Sequence, residues 1–546
     1  MKRIICSLIL SVFALVLSAG PVCIIPQPAE VVVGQGCFHL NASTVYVVDF
    51  DDPKVEYALE FFNGVAEDLF GTGLSCEKSA RRNAIRISKD ETIAEEGYVL
   101  EVDSKMIGIS ASSPSGVYYA FQSLRQMVPA EALGGYKVVD VDIQCALIKD
   151  EPKMKYRGFL MDVGRHFFDV DEIKTFIDVA AMHKMNIFHW HLTEDQGWRI
   201  DIRKYPLLAK VGSVRAKSQV VGTHHVHGIG YDGVPYGPFF YTQDQIRDVV
   251  KYAEKNFVTV IPEVDMPGHS LSALAAYPHL GCVGKDYKVR EKWGIADEVM
   301  CIGKETTFEF AEDVMEEILE LFPSRYIHIG GDECPRTAWK TCPHCQARMK
   351  AEGFETEAQL QSYFNHRMEA LLKKHGRVMI GWDEVLEGGV SPSTIVMSWR
   401  GTEGGIAAAN AGNDVIMTPQ QFCYVNGRQS SNLAKEPPLG TRHPTRPHHR
   451  PLDKAYMYDP FDGVPESQHK HIIGLQVCLW TEHVKIMPHA LYMTLPRLSA
   501  LAETGWSLAP KDFDRYLVSL ENLCKYYKFY EYPYSRSYWR DNGLDF

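Results

Sequence analysis

The sequence predicts an α/β protein: a (β/α)8 TIM barrel preceded by a small α+β domain. Three observations carry this. Eight short apolar runs recur between Tyr156 and Cys478, with helical stretches between several of them. Each run ends in polar or aromatic residues, and barrels of this kind keep their chemistry at the C-terminal ends of the strands. Before about residue 150 the texture differs, with short β-rich runs alternating with helical stretches. The 546 residues suffice for such a pair, at roughly 150 residues per ordinary domain. A composition of 45% hydrophobic and 23% charged residues excludes disordered and fibrous classes. The net charge of −12 argues against a nucleic-acid partner.

Residues 1–20 read as a signal peptide. Lys2 and Arg3 precede the apolar run Ile4 to Ala19, which is short for a membrane span of about 20 residues. The competing reading is a membrane anchor. Export to the periplasm, cell surface or medium is expected, with no stable span once the signal is removed. Acylation at Cys23 is a weak alternative, because Pro21-Val22 makes a poor lipoprotein box.

An oxidising compartment permits disulfides, and Cys282 with Cys301, flanking one loop, is the best candidate pair. Cys334, Cys342 and Cys345 cluster, with Cys342-Pro343-His344-Cys345 a single CxxC. A zinc site needs a second pair or histidines at ligand spacing, so no metal is expected; disulfide or free thiol is the plainer reading.

Residues 21–150 form the expected α+β domain. Thr44 to Val48 reads as a strand and Val55 to Leu69 as an amphipathic helix. Tyr98 to Val102 and Met106 to Ser110 read as a strand pair, and Ser115 to Met127 as a second helix. No catalytic constellation lies here.

Residues 151–510 form the expected barrel. Its runs are Tyr156 to Asp162, Asn186 to Leu192, Thr259 to Val264, Tyr326 to Gly330, Val378 to Trp382, Ile395 to Ser398, Asp414 to Met417 and Ile472 to Cys478. Helices are expected over 171–185, 243–256, 306–321 and 356–375; the gap between the fifth and sixth runs is short for a full crossover. Residues 511–546 are expected to form a C-terminal helix and tail packing on the barrel, with Phe513, Tyr516, Leu517 and Leu520 on one side.

Carboxylates, an arginine and several tryptophans converge at the expected strand ends: Asp162/Arg165, His191/Glu194/Asp195, Asp265/His269, Asp332/Glu333, Trp382/Asp383, Trp399/Arg400 and Trp480/Glu482. This composition suits a carbohydrate site. Carboxylates bind hydroxyls and move protons, and indole faces stack on pyranose rings.

Five motifs then fall in order. They are Met161-Asp-Val-Gly-Arg165-His166, the stretch His189 to Arg199, Pro262-Glu-Val-Asp-Met-Pro-Gly-His269, His328-Ile-Gly-Gly-Asp332-Glu333 and Leu479-Trp480-Thr-Glu482. Together they resemble β-N-acetylhexosaminidases of glycoside hydrolase family 20, over about residues 30–510.

The resemblance implies an exo-acting, retaining enzyme that removes terminal β-linked N-acetylglucosamine or N-acetylgalactosamine from glycans without a cofactor. The substrate's own 2-acetamido oxygen would attack the anomeric carbon, giving an oxazolinium ion. Glu333 would be the general acid, kept protonated by burial or a nearby carboxylate. Asp332 would hold the amide N–H. Trp382, Trp399 and Trp480 match the family's indole box, and Tyr424 would donate to the acetamido oxygen. Arg165 and Glu482 would grip the 3- and 4-hydroxyls. His269 and Glu194 would support the acid, and His191 would be structural. Taken singly, a lone tryptophan is more often core; the alternative for Asp332-Glu333, an acidic helix cap at a strand–helix junction, is disfavoured by Gly330-Gly331 before it and by the companion motifs.

Two positions depart from the family pattern. Glu194 stands where Asp is common, which puts its pairing with His269 in doubt. Asn426 stands where an Asp usually holds the 6-hydroxyl, and it lacks the charge that would repel an anionic 6-substituent. Arg428 follows, then a basic loop with Arg442, Arg446 and Arg450. Tolerance of a 6-sulfated sugar, with Arg428 as its contact, is set against a solvated loop and a neutral substitution. Competing functional readings are a non-catalytic glycan-binding surface protein, a different barrel hydrolase, and a disaccharide-releasing enzyme of lacto-N-biosidase type. Oligomeric state, linkage and gluco/galacto preference are not encoded in these motifs.

Overall fold

The computed structural model describes residues 22–544 apart from 135, 222–229, 433–435 and 437–448. The signal segment 1–20, Arg442 and Arg446 lie outside the described residues. The described chain divides into two units.

The first unit is a seven-stranded sheet with two helices. Its strands are β1 (Glu30–Asn41), β2 (Val45–Asp49), β3 (Ser75–Cys76), β4 (Ala84–Lys89), β5 (Tyr98–Val102), β6 (Met106–Ala111) and β7 (Asp140–Asp150), in the order β1-β7-β5-β6-β4-β2-β3. The β1, β7, β5 and β6 neighbours run antiparallel, and β6, β4, β2 and β3 run parallel. Helices α1 (Val55–Phe70) and α2 (Pro114–Met127) pack through Phe62 stacked on Phe121, with ring centroids 4.8 Å apart. Residues 518–529 of the C-terminal helix belong to this unit: the Tyr526 hydroxyl donates to the Arg125 carbonyl at 2.7 Å. The expectation that all of 511–546 packs on the barrel is corrected accordingly. Leu523 and Tyr526 extend the buried stripe past the four residues that motivated it.

The second unit is a closed barrel of eight parallel strands. They are β8 (Tyr156–Asp162), β9 (Ile187–His191), β10 (Thr259–Glu263), β11 (Tyr326–His328), β12 (Val378–Trp382), β13 (Ile395–Ser398), β14 (Val415–Met417) and β15 (Ile472–Leu479), with β15 closing on β8. Buried on both faces, such strands read as continuous apolar runs. Three of the surrounding helices, Val170–Met182, Gln243–Lys255 and Glu357–Lys374, begin with reciprocal capping boxes: Asp169/Glu172, Thr242/Gln245 and Thr356/Gln359. Between β12 and β13 a 3-10 turn, Asp383–Leu386, replaces a crossover helix, which explains the short gap in the sequence.

Register sets the level of the site. Asp162 pairs with His191, His191 with Glu263, and Glu263 with His328. These four polar residues therefore form one layer at the C-terminal rim, where the following loops begin.

Candidate active site

Asp332 and Glu333 lie in the loop after β11, on a turn made by Gly330 and Gly331, both at positive φ. Gly330 has φ 71°, and a Cβ there would sit 1.9 Å from Asp265 Oδ1. Only glycine lets the turn pass this close to Asp265. Glu333 (φ 46°) and His269 (φ 44°) also hold left-handed backbone conformations. Such strain concentrates where surrounding contacts fix a functional geometry.

One pocket of about 210 Å³ receives these loops; it is lined by Arg165, Asp332, Glu333, Trp399, Tyr424, Asn426, Trp480 and Glu482, together with Gln420, Gly427 and Arg450. Below it lies an aromatic floor. Trp382 and Trp480 have centroids 5.9 Å apart, Tyr424 and Trp480 5.8 Å, and Trp399 stacks on Tyr424 at 6.2 Å. Each indole of the floor is placed by a neighbour. Trp382 Nε1 donates to Glu263 Oε1 at 2.8 Å, and Trp399 Nε1 to Glu384 Oε2 at 2.9 Å. The Arg165 guanidinium lies 5.1 Å over the Trp480 ring, near enough for cation–π attraction.

Glu194 and His269 do meet. Glu194 Oε2 accepts from His269 Nδ1 at 3.0 Å and from the Asp195 N–H at 2.9 Å, while Oε1 pairs with Arg165 Nη2 and lies 3.3 Å from His191 Nε2. The longer side chain spans both cations. Burial alone would raise the Glu194 pKa, but Arg165 and His269 hold it well below the usual carboxylate range. Burial likewise opposes charge on His269, yet the Glu194 carboxylate raises its pKa well above the ordinary value.

This charged His269 bears on the acid. Its Nε2 lies 3.5 Å from Glu333 Oε2 and 3.8 Å from Asp332 Oδ2. Burial works to raise the Glu333 pKa, but the hydrogen bond and charge of His269, with the charge of Arg165, bring it below the ordinary value. The expectation that burial or a carboxylate keeps Glu333 protonated is thus not met: the two cations outweigh burial and the Glu194 carboxylate. Asp332 goes the other way, raised by burial, with Glu333 and Glu263 adding and His269 opposing. Asp332 Oδ1 is buried and has no hydrogen-bond partner. Beside it Asp265, raised well above the usual range by burial and by Asp332, takes the Gly331 N–H on Oδ1 at 3.0 Å.

Beneath the floor, buried Glu263 accepts from Trp382 Nε1 at 2.8 Å and contacts His191 Nδ1, while His189 Nε2 and His328 Nδ1 each lie 3.1 Å away. His191 therefore links Glu263 to Glu194. Sequence reasoning placed Glu263 inside a motif but gave it no role. Its signal was the alternation His189/His191, which points both imidazoles inward from one strand.

The anionic contact assigned to Arg428 needs correction. Arg428 does not line the pocket; Arg450 does. Arg450 Nη1 donates to the Tyr424 carbonyl at 3.0 Å and lies 3.5 Å from Asn426 Oδ1. Arg428, two residues past the turn at Asn426, accepts the Arg450 N–H on its carbonyl at 2.8 Å. Burial brings the Arg450 pKa down to about 10, so the guanidinium stays charged at neutrality.

The Cys282–Cys301 disulfide is also corrected. Cys282, Cys301, Cys342 and Cys345 are free thiols that share a single cluster in which Cys301 approaches both other-segment thiols. Cys334, expected near Cys342 and Cys345, lies apart from it beside Asp265 and Asp332.

Residues 154–509 match the glycosyl hydrolase family 20 catalytic domain, and residues 22–151 match domain 2 of that family. The chain is 42% identical over 509 residues to a beta-hexosaminidase of Porphyromonas gingivalis; the match spans 92% of this chain and 62% of that relative, less than two thirds of its length. A beta-hexosaminidase of Akkermansia muciniphila is 33% identical over 76% of this chain and 80% of its own. Among solved structures, an exo beta-N-acetylglucosaminidase from Vibrio harveyi in complex with N-acetylglucosamine has a TM-score of 0.84 and 31% identity, over 96% of this chain and 80% of that one. A beta-N-acetylhexosaminidase from Bacteroides fragilis gives 0.80 and 30%, over 96% and 99%. By these matches the chain belongs to glycosyl hydrolase family 20.

Proposed function

We propose that the protein is an exo-acting β-N-acetylhexosaminidase that works with retention through an oxazolinium intermediate. Family 20 is a substrate-assisted exception to the two-carboxylate scheme, and the mechanism enters from that membership. The observation that carries it is Asp332 Oδ1: a buried acceptor without a hydrogen-bond partner, on a residue that lines the same pocket as Glu333, Trp399 and Trp480. An amide N–H is the donor that such an atom lacks, and indole faces suit the acetamido methyl.

In this reading Glu333 protonates the glycosidic oxygen as the acetamido oxygen attacks the anomeric carbon. Asp332 balances the charge that develops on the amide nitrogen. Glu333 then takes a proton from water as the water oxygen bonds to the anomeric carbon and the bond from that carbon to the acetamido oxygen breaks. Substrate entry must raise the Glu333 pKa, by excluding water and by placing an uncharged leaving oxygen beside it. Preorganising the internal nucleophile lowers the barrier by up to about 7–11 kcal/mol in favourable systems. Arg165 and Glu482 would hold the ring hydroxyls, and a single small pocket suits one terminal sugar.

We further propose that Asn426 and Arg450 admit a 6-sulfated sugar, with Arg450 replacing Arg428 as the cation. Export, read from residues 2–19, stands as part of the proposal. The deciding experiment is chromophore release from 4-nitrophenyl N-acetyl-β-glucosaminide, beside the non-acetamido β-glucoside and Glu333→Gln. Activity on the first alone, reduced in the variant, supports the reading. No activity on any N-acetylated sugar moves the assignment to a glycan-binding protein.

A further inference from the structure

The four-thiol cluster lies outside the pocket and no step above uses it. Cys282 and Cys301 come from the long connection after β10. Cys342 precedes, and Cys345 lies within, the first turn of the helix Pro343–Glu352 in the loop that leaves Asp332-Glu333. All four sulfurs lie within 4.8 Å of one another. Cys301 and Cys342 stand 3.6 Å apart, Cys301 and Cys345 3.6 Å, and Cys282 and Cys345 3.9 Å.

Those distances discriminate. A disulfide needs sulfurs about 2.05 Å apart. Four sulfurs at about 2.3 Å from one zinc ion stand at tetrahedron corners, with edges of about 3.8 Å. The observed contacts bracket that edge. Three of the four cysteines are buried and Cys282 is half-buried, so the cluster is enclosed. The Gly303 N–H bonds the Cys301 sulfur, the kind of contact that spreads thiolate charge. Gly303 also packs against the CxxC backbone: a Cβ there would meet the His344 carbonyl carbon at 2.1 Å. The two cysteine-bearing segments are thus pressed together at the cluster, and Trp339 Nε1 donating to the Met300 carbonyl at 2.9 Å joins them again.

We propose that Cys282, Cys301, Cys342 and Cys345 bind one structural Zn2+ ion. A soft, closed S4 set selects zinc over hard cations and leaves no open position for catalysis. Binding releases the thiol protons, up to four per ion, so the site is pH-dependent. Its role is to staple the 282–301 connection to the segment after Glu333, fixing the loop that carries the acid. The single CxxC was incomplete in sequence because its partners lie 41 and 63 residues away.

The test uses the full chain, expressed with zinc and purified without chelator. Elemental analysis should give about one zinc per chain, released by a thiol-directed mercurial. Cobalt exchange should give the intense visible bands of tetrahedral thiolate coordination. Cys345→Ser should lose the zinc and lower the Tm; if it does not fold, the wild-type stoichiometry and cobalt spectrum still decide. Four fewer titratable thiols in denaturant, with no metal, would mean two disulfides and overturn the proposal. Free thiols that stay metal-free after zinc incubation, or iron in place of zinc, would overturn it as well.

Discussion

His269 Nε2 stands 3.5 Å from Glu333 Oε2, while its Nδ1 is bonded to Glu194 at 3.0 Å. The imidazole therefore transmits the charge of a buried carboxylate to the proposed acid. Glu194 raises the pKa of His269, and His269, with Arg165, lowers that of Glu333.

The first prediction concerns that relay. Because the Glu333 pKa is lowered in the free enzyme, kcat/KM should be greatest on the acid side of neutrality and fall as pH rises. His269→Gln removes the cation and should lift the Glu333 pKa by roughly one unit or more. The basic limb of kcat/KM should move upward with it. A limb that moves downward would mean that the pair keeps its active proton on His269.

The two carboxylates should separate by leaving group. Glu333→Gln should cost roughly 10²–10⁴ in kcat on glycosides with poor leaving groups, and much less on 4-nitrophenyl substrates. Asp332→Asn should cost about as much on both, because its task is the acetamido group. Equal losses in both variants across a leaving-group series would dismiss the division of roles.

Stability should fall on the alkaline side through His191. Burial alone would lower its pKa, but Glu263 and Glu194 raise it to about 10. A raised folded pKa contributes stability that is complete below the ordinary histidine value, about 6.5, and is lost as pH rises toward 10. The Tm should decline across that window, and His191→Asn should flatten the decline. Breaking the buried set with Glu263→Gln should destabilise by about 3–5 kcal/mol in urea unfolding.

The sulfate reading predicts a ratio rather than a rate. Asn426→Asp should lower kcat/KM for the 6-sulfated chromogenic sugar relative to the plain one by roughly tenfold or more, since a unit charge at about 4 Å costs several kcal/mol at low effective dielectric. Arg450→Lys should shift the same ratio, and Arg428→Ala should leave it unchanged. No turnover of the sulfated substrate by wild type would end that reading.

The sequence by itself determined the architecture. Eight apolar runs became the eight barrel strands, within a few residues at their ends, because a strand buried on both faces writes its burial into consecutive residues. The capping boxes fixed helix starts equally locally, and ordered motifs at strand ends placed Asp332, Glu333, Arg165, Trp480 and Glu482 at one mouth. In the first unit β1, β3, β4 and β7 are not legible in the sequence, since their register depends on partners in other segments of the chain. Tertiary structure alone decided what depends on distance between segments: that Arg450 rather than Arg428 reaches the pocket, that His269 and Arg165 outweigh burial at Glu333, that the last helix divides between two units, and that four thiols from separate segments converge. Electrostatic and coordination geometry change over a few ångströms, and sequence separation carries no measure of that length.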